Sequence, residues 1–290
     1  MDGPIDINRR RWDELATIHA RDTNGGSRSL ARFRAGEDAL QAIESTELGD
    51  ISGKRVLHLQ CHIGSDTLSL VRRGAVVTGL DFSSVALDCA RRLADETGLK
   101  ADFVQGTVDE APHLTPGPFD LVFATWGTLC WLPDMRAWAR VIATVLSPGG
   151  ELYCADAHPG FVTLEEHAGR LMPTFDFQTP PDRPLEFVEA TGYTGDLTVM
   201  AHQSTRVWIH SLSAILGALI DAGLMITMFR EHEVLPWRRD AAHVTTRPGE
   251  TVTLSGDVRS LVPTSDRMWR LPDGHPRIPL SFSVRAKKGG

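Results

Sequence analysis

The chain has 290 residues, 42% of them hydrophobic and 23% charged, with a formal net charge of −7 and a pI near 5.9. That length suits one large domain, or one domain with a sizeable insertion. The ordinary composition and the lack of any low-complexity tract or repeat argue against a disordered or fibrous chain, and the acidic balance disfavours a nucleic acid as partner.

The opening, MDGPIDINRRRWDEL, carries no apolar stretch of the signal-peptide kind. The first predicted helix covers Ile7 to His19, with Trp12, Leu15, Ala16 and His19 on one face and Asp6 or Asn8 as its cap. Asn24-Gly25-Gly26-Ser27 breaks the chain, and a second helix is expected over about 31–45. From Lys54 short apolar runs alternate with helical stretches. Strands are expected at Arg55–Gln60, Ala75–Leu80, Ala101–Gln105, Phe119–Ala124 and Glu151–Ala155, with helices at 66–73, 84–97 and 134–146 between them. The last of these stops at Ser147-Pro148-Gly149-Gly150. This alternation predicts βαβ units and a parallel sheet covered on both faces.

Residues 157–207 interrupt the pattern and read as an insertion on the ligand side of the sheet. An amphipathic helix follows from Val207 to Gly223, with Leu212, Ile215, Leu216, Leu219 and Ile220 on one face. Two closing strands are expected at Leu224–Phe229 and Ile278–Arg285, separated by a polar stretch at 238–275 with weak strand character. The most apolar segment, Ser213 to Met228, is interrupted by Asp221 and too short to span a bilayer, so a cytoplasmic location without membrane association is expected. Cys61, Cys89, Cys130 and Cys154 form no C-x-x-C pair and predict reduced thiols and no metal site.

In an open α/β sheet, ligands bind beyond the carboxyl ends of the strands. The first such loop is Gln60-Cys61-His62-Ile63-Gly64-Ser65-Asp66, leading into a helix whose N-terminus favours an anion. With only Gly64 left, it suits a small carboxylate better than a pyrophosphate. Asp81 ends the second strand, where a carboxylate accepts hydrogen bonds from both ribose hydroxyls. An amino acid joined to a nucleoside satisfies both features, and S-adenosylmethionine is such a molecule.

The runs VLHLQCHIGSDTLSLVRRGAVVTGLDFSSVALDCARRLA, FVQGTVDEAP, FDLVFATWGTLCWLPD and VLSPGGELYCADAHP resemble the class I S-adenosylmethionine-dependent methyltransferases, and within them a bacterial small-molecule branch with the same LQCH turn. The similarity covers residues 54–159 closely and 207–223 and the IPLSFSVRAKK ending more loosely. It implies a Rossmann-like, doubly wound, seven-stranded sheet with its last strand antiparallel. Residues 1–50 are then an N-terminal helical lid on a donor-binding domain at 51–290, with the acceptor-side insertion at 157–207. The cofactor implied is S-adenosylmethionine. Gln60, His62 and Gly64 would line its methionine end, Asp81 would bind ribose and Phe82 would lie against adenine. Gly106, Thr107 and Val108 would flank the adenine edge, Thr125 and Trp126 would sit near the sulfonium, and Trp12 would close over the donor. The sequence departs from the family at His58, where an acid is usual, at Gln60 and His62, where glycines are usual, and at Thr107, where Asp or Asn is common.

The implied reaction is N- or O-methylation of a small molecule, with specialised metabolism as the expected setting. His158 after the fifth strand and His19 on the first helix are candidate bases, and Tyr193 is a candidate for orienting the acceptor. Two other readings are an adenosyl-pocket protein with a non-methylating or regulatory role and an NAD-dependent oxidoreductase. Self-association through exposed apolar faces is left open.

Overall fold

The structure is a computed structural model and describes residues 3–21, 29–167, 169–192, 194, 196–237, 245–247, 250–252 and 261–290. Its first helix, α1, spans Pro4–Ala20, capped by Gly3 with Pro4 in the first turn. Asn8, a candidate cap in sequence, is instead a buried residue of this helix. The single helix expected over 31–45 is two, α2 at Leu30–Arg34 and α3 at Ala42–Glu47. Gly36 takes φ +101°, a left-handed value that ends α2. Gln41 and Glu44 then form a reciprocal capping box that starts α3.

The alternating region gives β1 (Arg55–Leu59), α4 (Ser65–Arg72), β2 (Val76–Asp81), α5 (Ser84–Thr97), β3 (Asp102–Gln105), α6 (Ala111–Leu114), β4 (Phe119–Thr125), α7 (Met135–Val145) and β5 (Leu146–Ala157). Ser83 and Asp134 cap α5 and α7 by accepting the N–H groups of Ala86 and Arg136. The Ser147–Gly150 stop belongs to β5 itself, whose pairing with β4 shifts register there while Gly149 takes φ +77°.

The segment expected as an insertion holds α8 (Pro159–Val162), the hairpin of β6 (Leu164–His167) and β7 (Arg170–Pro173), and the hairpin of β8 (Leu185–Val188) and β9 (Ser204–Val207). Helix α9 is shorter than its apolar pattern, Leu212–Asp221, because Ser211 caps it and Val207 ends β9. Ile220, expected on its inner face, is 61% exposed. Strand β10 (Leu224–His232) precedes β11 (Val234–Leu235), β12 (Thr245–Arg247), β13 (Glu250–Val252), β14 (Val262–Pro263), β15 (Trp269–Arg270) and the closing β16 (Ser281–Lys288).

The main sheet has seven strands in the order β10-β16-β5-β4-β1-β2-β3. β1, β2, β3, β4 and β5 run parallel, while β16 lies antiparallel between β5 and β10. The chain order reverses between β1 and β4, which opens the ligand crevice of such sheets there. Cores fill both faces. Trp138, Ile142 and Leu219 pack from α7 and α9 on one face; Ile43, Leu70 and Leu68 pack from α3 and α4 on the other. The near-continuous burial of β1 and β4 is that of strands covered on both sides. No helix among the described residues is long and apolar enough to cross a membrane.

Candidate active site

A cavity of about 910 Å³ lies at the carboxyl ends of the parallel strands, covered by α1 and the 158–210 segment. Its floor is the loop between β1 and α4. Gln60 and His62 take φ +54° and +50°, the left-handed region that glycine occupies easily, and Gly64 takes +78°. A side chain there costs about 1–2 kcal/mol, and the surroundings hold the turn in place. Cys61 N–H donates to the Leu80 carbonyl at 3.0 Å, Gly64 N–H to the Cys61 carbonyl at 3.0 Å, and Gln60 Nε2 to the Thr128 carbonyl at 3.1 Å. Gly64 does not line the cavity; it packs beneath the loop, where an added Cβ would sit 2.7 Å from Ala90 Cβ.

Asp81 closes β2 at the cavity wall. Its Oδ2 accepts the His62 N–H at 2.8 Å and its Oδ1 the Ser83 N–H at 2.9 Å. Burial nevertheless pushes the carboxyl up to about 6, against these two donors that favour its charged form. Ser83 Oγ donates to Asp13 Oδ1 at 2.6 Å, tying α1 to the turn after β2. Phe82, Gly106, Thr107 and Val108 line the same end of the cavity.

At the other end, Thr125 finishes β4, and Trp126 just beyond it also takes a left-handed φ of +61°. Asp156, at the end of β5, organises the chain beyond it. Its carboxylate accepts the N–H groups of Gly127 at 2.7 Å, Thr128 at 2.9 Å and Leu129 at 3.0 Å. Sequence reasoning passed over Asp156, although an acid directly after a strand in such a sheet is the signal that marked Asp81.

The roof is assembled from distant segments. The Trp12 ring meets those of His62 and Trp131 edge-on, with centroids 5.2 Å and 5.3 Å away. His19 Nδ1 lies 2.8 Å from His62 Nε2, so one proton joins helix to loop. Asn8 accepts the Arg206 N–H and donates to its carbonyl, both at 2.8 Å. Buried Arg11 pairs with Glu189 at 2.9 Å and donates to the Glu189 carbonyl at 2.8 Å. Phe161, Phe175, Phe187 and Trp208 complete apolar walls that no sequence motif had marked.

The three candidate acid–base or orienting residues separate. His19 lines the cavity. His158 does not: it caps α8, where its Nδ1 accepts the Gly160 N–H at 3.0 Å, and its Nε2 meets Glu231 Oε1 at 3.0 Å. Burial holds its pKa below the ordinary imidazole value, and both ring nitrogens are engaged, so its expected place at the acceptor is corrected. Tyr193 lies outside the described residues. Another imidazole at the cavity, His210, donates from Nε2 to the Leu132 carbonyl at 2.7 Å, and burial lowers its pKa. Among the described residues no group of three or more His, Cys, Asp or Glu side chains is arranged to hold a metal ion.

Fold and site together define a Rossmann-like nucleoside-binding domain with a built-on roof. Residues 56–150 match the family described as a methyltransferase domain. Over 105 residues the chain is 37% identical to the ubiquinone biosynthesis O-methyltransferase of Aeromonas salmonicida and 36% identical to that of Klebsiella pneumoniae. That stretch is 36% of this chain and 44% and 43% of those proteins, so the chain matches less than half the length of these curated relatives. A solved S-adenosylmethionine-dependent methyltransferase from Mesorhizobium loti superposes with a TM-score of 0.55 at 21% identity, covering 85% of this chain and 96% of that one. One from Clostridium acetobutylicum does so with a TM-score of 0.53 at 13% identity, covering 86% and 89%. At these identities the structural likeness speaks for the fold. Residues 56–150 thus carry a domain of the methyltransferase-domain family. S-adenosylmethionine is the cofactor of that family, and the cavity has the chemistry to take it. A buried carboxylate ends β2, and Gln60 Oε1 and Thr125 Oγ1 are buried acceptors without a hydrogen-bond partner.

Proposed function

We propose that the protein methylates a small molecule at oxygen or nitrogen, using S-adenosylmethionine. The observation that carries this reading is the joining of Gln60, His62, Asp81, Phe82, Thr107, Val108, Thr125 and Trp126 in one cavity at the switch point of a methyltransferase-type sheet. When bound, S-adenosylmethionine supplies a methyl group already activated on a sulfonium.

The chain's own residues do the rest. Asp81 accepts hydrogen bonds from the ribose hydroxyls, and Phe82 and Val108 enclose the adenine. The roof of Trp12 and Trp131 keeps water away and holds the acceptor against the methyl carbon, and such positioning supplies up to about 7–11 kcal/mol. A hydroxyl or protonated amine must lose its proton, and His19 is the imidazole that takes it, a contribution of about 10²–10⁴-fold. His62, bonded to His19, holds that ring in place.

The acceptor wall is built from Trp131, Phe161, Phe175, Phe187 and Trp208, which suits an apolar, ring-bearing molecule. Trp131 Nε1, buried without a partner, supplies one donor for a polar atom on it. The curated relatives are named for O-methylation in ubiquinone biosynthesis, which supports a ring hydroxyl as acceptor. We place the reaction in the cytoplasm and in specialised metabolism. Residues 1–50 act as its lid over the domain at 51–290, whose insertion at 157–207 lies on the acceptor side, and the protein works without nucleic acid or membrane, alone or as a homo-oligomer.

Calorimetric titration with S-adenosylmethionine, S-adenosylhomocysteine and NAD tests the reading. Micromolar binding of both adenosyl ligands and none of NAD supports it. Binding of NAD alone, or of nothing, overturns it.

A further inference from the structure

The apolar walls of the cavity give way to a cationic rim. Among the described residues, Arg11, Arg32 and Arg267 are the guanidinium groups that line it. Arg11 is buried and committed to Glu189. The side chains of Arg32, on α2, and Arg267, on the turn between β14 and β15, are 39% and 44% exposed. They converge on one carboxylate oxygen. Glu37 Oε2 accepts Arg32 Nε at 3.0 Å, Arg32 Nη2 at 2.6 Å and Arg267 Nη1 at 3.3 Å. The neighbouring Asp38 is taken by Arg73 at 3.0 Å, and Arg72 adds a further cation, bonded to the Phe33 and Glu37 carbonyls at 2.8 Å. On a chain of net charge −7 this corner is locally basic.

The position of Arg267 is held at a cost. Its φ of +66° lies in the left-handed region that suits glycine, a strain that a mere surface turn has no need to carry. The turn is fixed on both sides. Thr264 N–H donates to the Met268 carbonyl at 2.8 Å and Arg267 N–H to the Thr264 carbonyl at 3.3 Å, while Met268 is fully buried in the core. The next residue, Trp269, packs with Phe161, Leu235 and Leu261. Phe161 belongs to the acceptor wall, so the strained arginine stands where that wall meets solvent.

We infer that Arg32 and Arg267 receive the carboxylate of the acceptor, an aromatic carboxylic acid whose body lies along the Phe161 wall, and that Glu37 holds this place until it arrives. This rests on the methyltransferase reading above and narrows its acceptor class. A guanidinium presents its N–H groups in a fixed fork that fits a carboxylate, and Glu37 shows that a single carboxylate reaches both arginines. The exchange puts one carboxylate in place of another, so the ion pairs are kept while the ring of the acceptor leaves water. The donor's own carboxylate fits the N-terminus of α4.

The test is calorimetric titration of the full chain in excess S-adenosylhomocysteine, whose own binding is measured first. The probes are 2-naphthoate and its uncharged counterpart, 2-naphthalenemethanol. At low salt the native protein is expected to bind the acid about fivefold or more tightly than the alcohol, and the preference should shrink as sodium chloride approaches about 1 M. Arg32→Gln and Arg267→Gln should each remove most of that preference and leave the alcohol and S-adenosylhomocysteine within about twofold. Glu37→Gln, which vacates the place, should strengthen 2-naphthoate about threefold or more. Equal affinity of native protein for the two probes overturns the inference, whether or not any variant folds. So does a preference that survives both arginine variants. Weaker S-adenosylhomocysteine in those variants with 2-naphthoate unchanged would give the pair to the donor and overturn it too. Unchanged 2-naphthoate affinity in Glu37→Gln removes Glu37 as the placeholder. Binding of neither naphthalene probe by protein that holds S-adenosylhomocysteine overturns the ring-bearing acceptor and the inference with it, whereas failure to bind S-adenosylhomocysteine overturns the donor reading on which both stand.

Discussion

The floor and the roof of the cavity are built by different physics. The floor is backbone: five parallel strands and their turns put Gln60, Asp81, Thr125 and Asp156 where the ladder dictates, and the side chains secure the turns by accepting N–H groups. The roof is side chain on backbone. Asn8, Arg11 and Glu14 of α1 satisfy peptide groups of residues 189–206, almost two hundred positions away. A floor of this kind tolerates change poorly but moves little. A roof of this kind depends on a few contacts and detaches as a unit.

Arg11→Ala breaks that distinction most directly. It leaves Glu189 and several carbonyls without their partner, a loss of about 3–5 kcal/mol for a buried pair. Hydrogen exchange should rise in α1 and the β8–β9 hairpin and stay unchanged in β1, β4 and β5; uniform acceleration would mean that floor and roof are one cooperative unit. On the floor side, Asp81→Ala removes the ribose acceptor and two turn contacts. Adenosyl-ligand affinity should fall about tenfold to hundredfold, up to about 3 kcal/mol, as measured by calorimetry on a variant shown by its melt to be folded.

A pH series sharpens the same contrast. The folded-state pKa of Glu44 is raised from 4.5 to about 7, so its stabilising effect is complete below about pH 4.5 and is lost as the pH climbs through 7. Glu44→Gln should flatten the decline in ligand-free stability across that window by on the order of 2 kcal/mol, and parallel native and variant curves would remove Glu44 as its source. The smallest effect is expected at His158. His158→Ala deletes a cap on a four-residue helix, worth about 1 kcal/mol, and should leave donor affinity untouched because the ring faces Glu231 instead of the cavity.

Legibility in the sequence divides along the same line. The order of β1 to β5 and the position of Asp81 were readable because period and turn chemistry are local. The break at Gly36 was not, since the apolar spacing of 31–45 continues across it. The helix expected from Val207 begins five residues later because Ser211 caps it, while pairing with β8 keeps 204–207 extended. His158 looked catalytic by its place after β5, but capping α8 turned it away from the cavity. Arg11 and Glu189 gave no signal at all: a pair separated by 178 positions exists only once the chain has folded.

The bond between Asn8 and Arg206 has one more consequence. Its side-chain amide mimics a peptide group and occupies both the N–H and the C=O of a residue on a two-stranded ribbon. Such free edges are where chains stick to one another. Were α1 to lift as a lid, that edge would be bared, and long excursions of the helix would carry a hazard of strand addition between molecules.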